Sequence, residues 1–560
     1  MRPIEIFLLI SAVLLLIGLY KTFEKAGEKG WKAFVPVYNF LVWLKIIKKP
    51  WWWIFLILIP TVGFYMIAVM MVLLSNCFGK RKFTDHVLAV VAYFIWLPYL
   101  GFSKDIKFQG VPPEEKKKHM LKEWGEAGIF AIVAATLIRT FFFEAFVIPS
   151  SSMEGTLLVG DYLFVSKMSY GAKVPALPLT IPFTHNSIPG TETTPSYLDW
   201  IELPYMRLPG FGEVERNDIV VFNFPEGDTV WIGDRNRSYY GYLRMRVKTS
   251  GGTMTIGDVR NNLIKSDSII VHPVDKEDNY VKRCVAIAGD VIEIRDHKLL
   301  VNQKDGIVPK GAQWAYNFNI AIASNEDLEK WKKRFASIGV TDQFNYSAGD
   351  SMYKLTVPVH TDHLQKFKEI VGGVSPANWS QTYAEEDDVF PHDTEHFPWT
   401  RDNFGPLVIP KEGMTVHLSL DSLPLWNRII SVYEGNKLEV KDGKIYINDK
   451  QATTYTFRQD YFWLMGDNRH NSLDSRYWGF VPADHVVGKP VFVWMSKGET
   501  DGFRTDRMMS FVSKEGLSKS YLWWIIGGIV LIVAYNQFKN RGKGKGTDKD
   551  PKLKVQTKKK

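Results

Sequence analysis

Runs of apolar residues sit at the two ends of this chain and enclose a long middle without comparable runs, and this arrangement limits the possible folds more than any other feature. Four runs precede residue 149: Ile4 to Tyr20, Trp51 to Phe78, His86 to Phe102 and Ala127 to Ile148. A fifth, Tyr521 to Phe538, follows residue 518. Their lengths bracket the roughly 20 residues that a membrane-spanning helix needs. The first run is followed by Lys21, Glu24, Lys25 and Glu28 rather than by a small-residue cleavage site, so it reads as an uncleaved anchor.

Basic flanks give an orientation. Lys116, Lys117, Lys118 and Lys122 precede the fourth run, which places its start in the cytoplasm and the chain after Ile148 outside. The fifth run then returns the chain inward. Most of the formal net charge of +9 lies in the tail behind it, where Lys539 to Lys560 carries ten Lys or Arg against two Asp. A Gly- and Lys-rich tail next to an apolar run suits the cytoplasmic face of a bilayer and does not suit nucleic acid, which needs a basic face on a folded domain. Lys80, Arg81 and Lys82 fit this topology only if Val37 to Ile47 is re-entrant or the number of early spans differs. Two distant cysteines, Cys77 and Cys284, exclude a disulfide framework.

The middle changes to short β-rich runs bounded by Gly, Pro, Asp and Asn, such as Asp218 to Phe222, Tyr280 to Ile287 and Val486 to Met495. The expected fold class is therefore a multi-span α-helical membrane region plus a mainly antiparallel β domain with an α+β insertion. Within the β domain, Asn325 to Ile338 and Thr361 to Val371 place apolar residues at helical spacing behind an Asn and a Thr cap. Each follows a strand-like run, Phe318 to Ala323 and Met352 to Val359. The expected organisation is an N-terminal membrane region over 1–125, a span over 126–148, a β domain over 149–518 with an insert at about 315–400, a C-terminal span over 519–538 and a basic tail over 539–560.

Three clusters carry chemistry. Pro149-Ser150-Ser151-Ser152-Met153 places hydroxyls immediately after an apolar run, where a polar turn would look the same. Serine is a weak nucleophile without a base, and a lysine whose ammonium is destabilised by burial can supply one. Strand alternation puts Lys282 on the face of Tyr280, Cys284 and Ala286, an uncharged setting, although a lysine at a sheet edge could simply extend to solvent. The third cluster, Gly466 to Pro482, is rich in turn formers and hydrogen-bonding groups bounded by aromatics, as suits a rigid positioning loop.

Together the clusters resemble the type I signal peptidases, the bacterial Ser-Lys proteases of family S26. Ile148 to Met153 with Thr156-Leu157 and Gly160-Asp161 is similar to the nucleophile motif of that family, and Arg216 to Phe222 to its third motif. Tyr280-Val281-Lys282-Arg283 with Gly289-Asp290 is similar to the general-base motif, and Gly466 to Pro482 to the last and longest one. The resemblance implies an endopeptidase that removes signal peptides from exported preproteins after small residues at the outer membrane face. Ser152 would be the nucleophile and Lys282 the general base; the Ser152 N–H and the Ser150 hydroxyl would form the oxyanion hole. Ser472 would orient Lys282, with Asp474 and Arg476 bracing the site, and Phe146, Ile148, Met153, Leu157 and Tyr280 would line the substrate subsites. No metal or cofactor is implied; the expected partners are preproteins, the lipid bilayer and the secretion translocon, in the bacterial cytoplasmic membrane. Gly155, Ser151 and Asn217 depart from the usual residues of the family, often Pro at the first and Gly at the other two. His470 reads as loop filling rather than as a base.

Rival readings are weaker. A Ser-Lys self-cleaving repressor would be soluble with a DNA-binding helix pair, and a penicillin-recognising enzyme would need S-x-x-K at a helix start. Ser351 to Lys354 has that spelling but runs into Leu355-Thr356-Val357, a strand pattern. The non-enzymatic alternative is a catalytically inactive membrane scaffold.

Overall fold

The computed structural model describes residues 3–113, 120–191, 193–233, 238–251, 253–266, 269–320, 325–337, 345–348, 353–372, 379–381, 388–498 and 502–543. The Lys116 to Lys118 flank and most of the basic tail lie outside them.

The N-terminal region is helical but finely divided: α1 (Pro3–Lys25), α2 (Tyr38–Ile46), α3 (Trp53–Leu58), α4 (Pro60–Cys77), α5 (Phe83–Val91), α6 (Tyr93–Phe102) and α7 (Met120–Leu137). Pro60 starts α4 and so divides the expected Trp51–Phe78 span, because proline lacks the N–H that a continuous helix would use. The His86–Phe102 span is likewise two helices, α5 and α6, bent by 115°. Among the described residues, no single helix is both long and apolar enough to cross a membrane; α5 and α6 reach that length and composition only as a pair. The helices share a core of Leu19, Phe23, Trp43, Met70, Leu74, Trp96 and Leu97. Lys25 ties α1 to the end of α6 by donating to the carbonyls of Leu100, Ser103 and Ile106 at 2.6–2.9 Å.

The expected span Ala127–Ile148 is helical only in its first part. Helix α7 passes into a π-turn over Ile138–Phe142, and Phe143–Val147 leaves as a strand, β1. Phe143, Phe146 and Val147, aromatic and β-branched, favour the strand, and β1 pairs antiparallel with β2 (Asp161–Ser166) from Phe143↔Ser166 to Val147↔Tyr162. The polypeptide therefore joins the β domain directly out of the helix.

That domain is built on a ten-stranded antiparallel sheet. Its main path runs β1, β2, Val486–Gly498, β3 (Ile219–Asn223), Asn279–Ala286, Tyr461–Met465 and Val481–Pro482. Register shifts along Val486–Gly498 curl the sheet. The central strand Asn279–Ala286 is flanked by β3, with Val220 opposite Lys282, and by Tyr461–Met465. This position keeps its middle residues out of water.

The insert is a β-α-β-β-α-β unit. Its strands lie in the order 345–348, Tyr353–His360, Gln313–Ile320 and Trp379–Gln381, all antiparallel, which is the split β-α-β arrangement. Helices Asn325–Ala336 and Leu364–Gly372 cover one face, burying Trp331, Phe335, Phe367 and Val371 against Tyr316, Leu355, Val357 and Val359. Thr361 does not cap its helix as expected; its hydroxyl donates to the Ala312 carbonyl at 2.9 Å. Lys354 sits in a strand and Ser351 outside the described residues, so Lys354 is not part of an S-x-x-K helix start. The C-terminal run forms a helix over Leu522–Lys543, exposed nearly all round, with Trp523 and Trp524 at its start.

Because the insert has its own core, Phe367→Ala should cost it about 3–5 kcal/mol. Limited proteolysis should then cut within 313–381 before the main sheet is attacked; simultaneous loss of both would contradict an independent core.

Candidate active site

Ser152 lies in a tight 3-10 turn, Ser151–Met153, anchored because Met153 and Leu157 are driven into a cluster with Ile148, Leu163, Ile219 and Val493. Apolar anchors on both sides fix the serine at the edge of the sheet, where it is 8% exposed. Lys282 comes from the central strand and is 3% exposed. Its Nζ lies 2.7 Å from Ser152 Oγ and 3.0 Å from the Val281 carbonyl, to which it donates, and 5.4 Å from the centre of the Tyr280 ring. The uncharged strand face read from the alternation is therefore the face that meets the serine.

Burial lowers the Lys282 pKa to about 8, with Asp474 and Asp467 pulling the other way. Each carboxylate is itself tied to an arginine. Arg476 holds Asp474 by two bonds of 2.8 Å, and Asp474 also accepts from the Gly466 N–H. Burial pushes the Asp474 carboxyl up, but the charge and hydrogen bonds of Arg476 outweigh it and hold the group below its ordinary value. Arg283, next to the lysine but on the opposite face, grips Asp467 at 2.7 and 2.8 Å. Both side chains of that pair are fully buried. Thr156 adds a 2.5 Å bond to Asp467 and Arg283 reaches the carbonyls of Asn217 and Lys514 at 2.9 and 2.8 Å. The resemblance assigned no role to Asp467, Arg283 or Thr156; their residue types inside the motifs were visible, but not that they meet.

The serine turn is held from the loop as well. The Asn468 N–H donates to the Ser152 carbonyl, its side chain to the Ser151 carbonyl, and the Asn471 amide to Ser151 Oγ. Ser472 is buried beside Gly466, where an added Cβ would lie 2.2 Å from the Ser472 hydroxyl and 2.5 Å from the Ser152 carbonyl. Gly466 is thus required by close approach. Among the described residues no hydrogen bond joins Ser472 to Lys282. Ser150 is exposed and makes no capping bond, leaving its hydroxyl beside the serine turn open to a ligand.

The expected substrate-lining residues separate. Ile148, Met153 and Leu157 are fully buried in one cluster, Phe146 packs partly buried on Val165, Val221 and Val487, and Tyr280 stacks on Phe224 at 4.5 Å. The departures from the family pattern have backbone reasons. Gly155 has φ +87°, which proline cannot adopt, and Asn217 has φ +74°, the left-handed region that asparagine tolerates.

His470 does more than fill the loop. Its Nδ1 accepts from the Ala315 N–H of the insert at 3.1 Å, and its Nε2 lies 3.0 Å from Asp402, which also binds His297 at 2.8 Å. These three residues could group around a metal ion. With Nδ1 accepting, however, the neutral ring carries its proton on Nε2 and donates to Asp402, which leaves no lone pair there for a metal. The cluster is a hydrogen-bonded strut between the Gly466–Pro482 loop and the insert.

Removing one member of the buried Arg283–Asp467 pair strands the other charge. Arg283→Met should destabilise the protein by about 3–5 kcal/mol. Chemical denaturation should show the double variant Arg283→Met/Asp467→Leu recovering much of that loss; equal losses in both would mean that the arginine acts by packing alone.

Comparison with known proteins follows the same division of the chain. Residues 121–353 and 452–495 match the family described as signal peptidase, peptidase S26, and residues 31–111 match a family of unknown function, DUF5684. Signal peptidase I of Buchnera aphidicola subsp. Acyrthosiphon pisum is 25% identical over 406 residues, 71% of this chain and 84% of that protein. Signal peptidase I of Helicobacter pylori is 25% identical over 408 residues, 72% of this chain and 92% of that protein. The Haemophilus influenzae enzyme of the same name is 26% identical over 408 residues, 71% and 79% of the two chains. The matched segments hold the serine turn, the lysine strand and the positioning loop, and on them the chain belongs to the signal peptidase family, peptidase S26.

Proposed function

We propose that the chain is an endopeptidase that removes signal peptides from exported preproteins, with Ser152 as nucleophile and Lys282 as general base. The observation that carries this reading is the 2.7 Å approach of Lys282 Nζ to Ser152 Oγ at a buried site where, among the described residues, no carboxylate or imidazole bonds the serine. A neutral lysine has one lone pair and two N–H groups. The lone pair takes the Ser152 proton while one N–H stays on the Val281 carbonyl.

Ser152 Oγ then attacks the scissile carbonyl carbon, and the resulting oxyanion is stabilised by the Ser152 N–H and the Ser150 hydroxyl. Lys282 returns the proton to the leaving amine, which departs as the new N-terminus of the mature protein. Water, deprotonated by the same lysine, cleaves the Ser152 ester and releases the signal peptide. Asp474 with Arg476 and Asp467 with Arg283 hold the lysine and the turn in register, and Ser472 packs against Gly466 beside the serine turn rather than bonding the lysine. A preference for small residues before the cut is expected from the family resemblance; of the five residues expected to line the subsites, Phe146 and Tyr280 are partly exposed, whereas Ile148, Met153 and Leu157 are packed beneath the serine turn.

The same reading places the β domain outside the cytoplasmic membrane and the basic tail inside, with the helical segments and the Leu522–Lys543 helix in or at the bilayer. An apolar signal helix in that bilayer would present its end to a serine that follows the helix-to-strand joint at Phe142–Phe143 by only ten residues. That joint sets the height of the site.

Incubating the purified protein in detergent with an exported precursor and sequencing the new N-terminus tests the reading; an unprocessed precursor would leave the scaffold alternative. Ser152→Ala and Lys282→Ala should each abolish processing with the protein still folded, and Lys282→Arg should be nearly as damaging, because guanidinium stays protonated. Processing rate should climb with pH through about 8 as Lys282 loses its proton. Stability should climb as well: the penalty of a buried ammonium is fully present below pH 8 and is relieved towards the ordinary lysine range, where the unfolded chain binds more protons. Substantial activity in Lys282→Arg would rule out the lysine as base.

A further inference from the structure

Lys276, at the end of the 3-10 turn Val274–Lys276, is 7% exposed, and among the described residues its ammonium has no hydrogen-bond or ion-pair partner. Its recorded neighbour is the Tyr197 ring, 5.4 Å away. Burial without a counter-ion is unfavourable for a cation, and it lowers the Lys276 pKa to about 8. The side chain lines a cavity between the helical region and the β domain, walled by Tyr65 of α4, Thr136 of α7, Arg139 and Thr140 of the π-turn, and Lys167 and Lys173 of the domain. Thr136 Oγ1, in the same wall, is buried and also lacks a partner.

The other charges do not neutralise Lys276. Glu144 is shared by Arg139 and Lys167, each at 2.7 Å, and Asp275 is held by Lys173 at 3.3 Å. Four cations thus face two carboxylates, and an unpaired ammonium and an unpaired hydroxyl donor are left over. His185, whose pKa is lowered chiefly by burial, donates from Nε2 to the Glu277 carbonyl and adds no charge.

Beside this polar cavity runs an apolar groove lined by Leu58, Ile59, Leu137, Phe141, Phe142 and Val174. The two adjoin residue by residue: Thr136 faces the polar space and Leu137 the groove, Thr140 the one and Phe141 the other, Lys173 the one and Val174 the other. A ligand that fills both carries an anionic head and an apolar chain.

We propose that this cleft binds a phospholipid, its phosphate held by Lys276 with Arg139 and the Thr136 hydroxyl, and an acyl chain in the groove between α7 and the Val174–Leu208 segment. The lipid completes the seam between helices and β domain by supplying the counter-charge that the protein lacks. This does not depend on the dyad being active.

Full-length protein in a non-ionic detergent, titrated with dioleoyl phosphatidylglycerol and observed by native mass spectrometry, should retain bound lipid. Lys276→Met should weaken binding about tenfold or more, and Lys276→Arg, which keeps the charge, should weaken it less. Titration with inorganic phosphate separates the sources: no phosphate binding points to the lipid, whereas Lys276-dependent phosphate binding without lipid binding would keep the anion site and overturn the groove as an acyl site. Without ligand, Lys276→Met should melt at the parent temperature or above, since it removes an uncompensated charge; a lower melting point would make Lys276 a structural residue. Equal lipid binding in parent and Lys276→Met, or no binding of either probe, would overturn the proposal.

Discussion

The buried pair of Arg283 and Asp467 is the contact on which the remaining site geometry rests. One guanidinium reaches the Gly466–Pro482 loop through Asp467, the Arg216–Phe222 segment through the Asn217 carbonyl and the chain beyond the Val486–Gly498 strand through the Lys514 carbonyl. Asp467 in turn takes the Thr156 hydroxyl from just beyond the serine turn. Planar, bidentate geometry suits arginine for this, because one side chain fixes both distance and orientation of the loop relative to the strand. Lys282 is the preceding residue on that strand, so placing Arg283 on one face aims the lysine at the serine on the other.

The same pairing governs the charge state of the lysine. Two carboxylates close to a lysine would ordinarily keep it protonated, and both Asp467 and Asp474 act in that direction. Each has an arginine bound more closely than the lysine is, so much of its field is spent on that partner. Burial therefore prevails. Two arginines that do not bond the lysine thus help to set its charge state.

Much of this was legible in the sequence. Alternation around Lys282 identified the face that meets Ser152, whereas the backbone reasons for Gly155 and Asn217, their positive φ values, emerge only in the structure. Long apolar runs were legible as helix but not as broken helix. Pro60 offered a local signal for one break, whereas the 115° bend at Ala92 and the passage of α7 into β1 depend on packing and on strand pairing with residues far along the chain. The insert showed its helices and strands by periodicity, yet its strand order is a tertiary property that no local pattern encodes. His470 looked like filler for the same reason: its partners, Ala315 and Asp402, lie far away in sequence.

The strand order of the insert has a consequence for how this chain could have arisen. Its first and last strands, Gln313–Ile320 and Trp379–Gln381, are neighbours in one sheet, so the polypeptide enters and leaves the unit at adjacent points. A module with adjoining ends can be gained or lost in one genetic event at little cost in loop closure. Gln313 and Ala315 mark where such freedom stops: the Gln313 N–H donates to the Asp467 carbonyl, its own carbonyl accepts from the Arg469 N–H, and the Ala315 N–H donates to His470. A change of the module that kept these contacts would leave the graft junction intact.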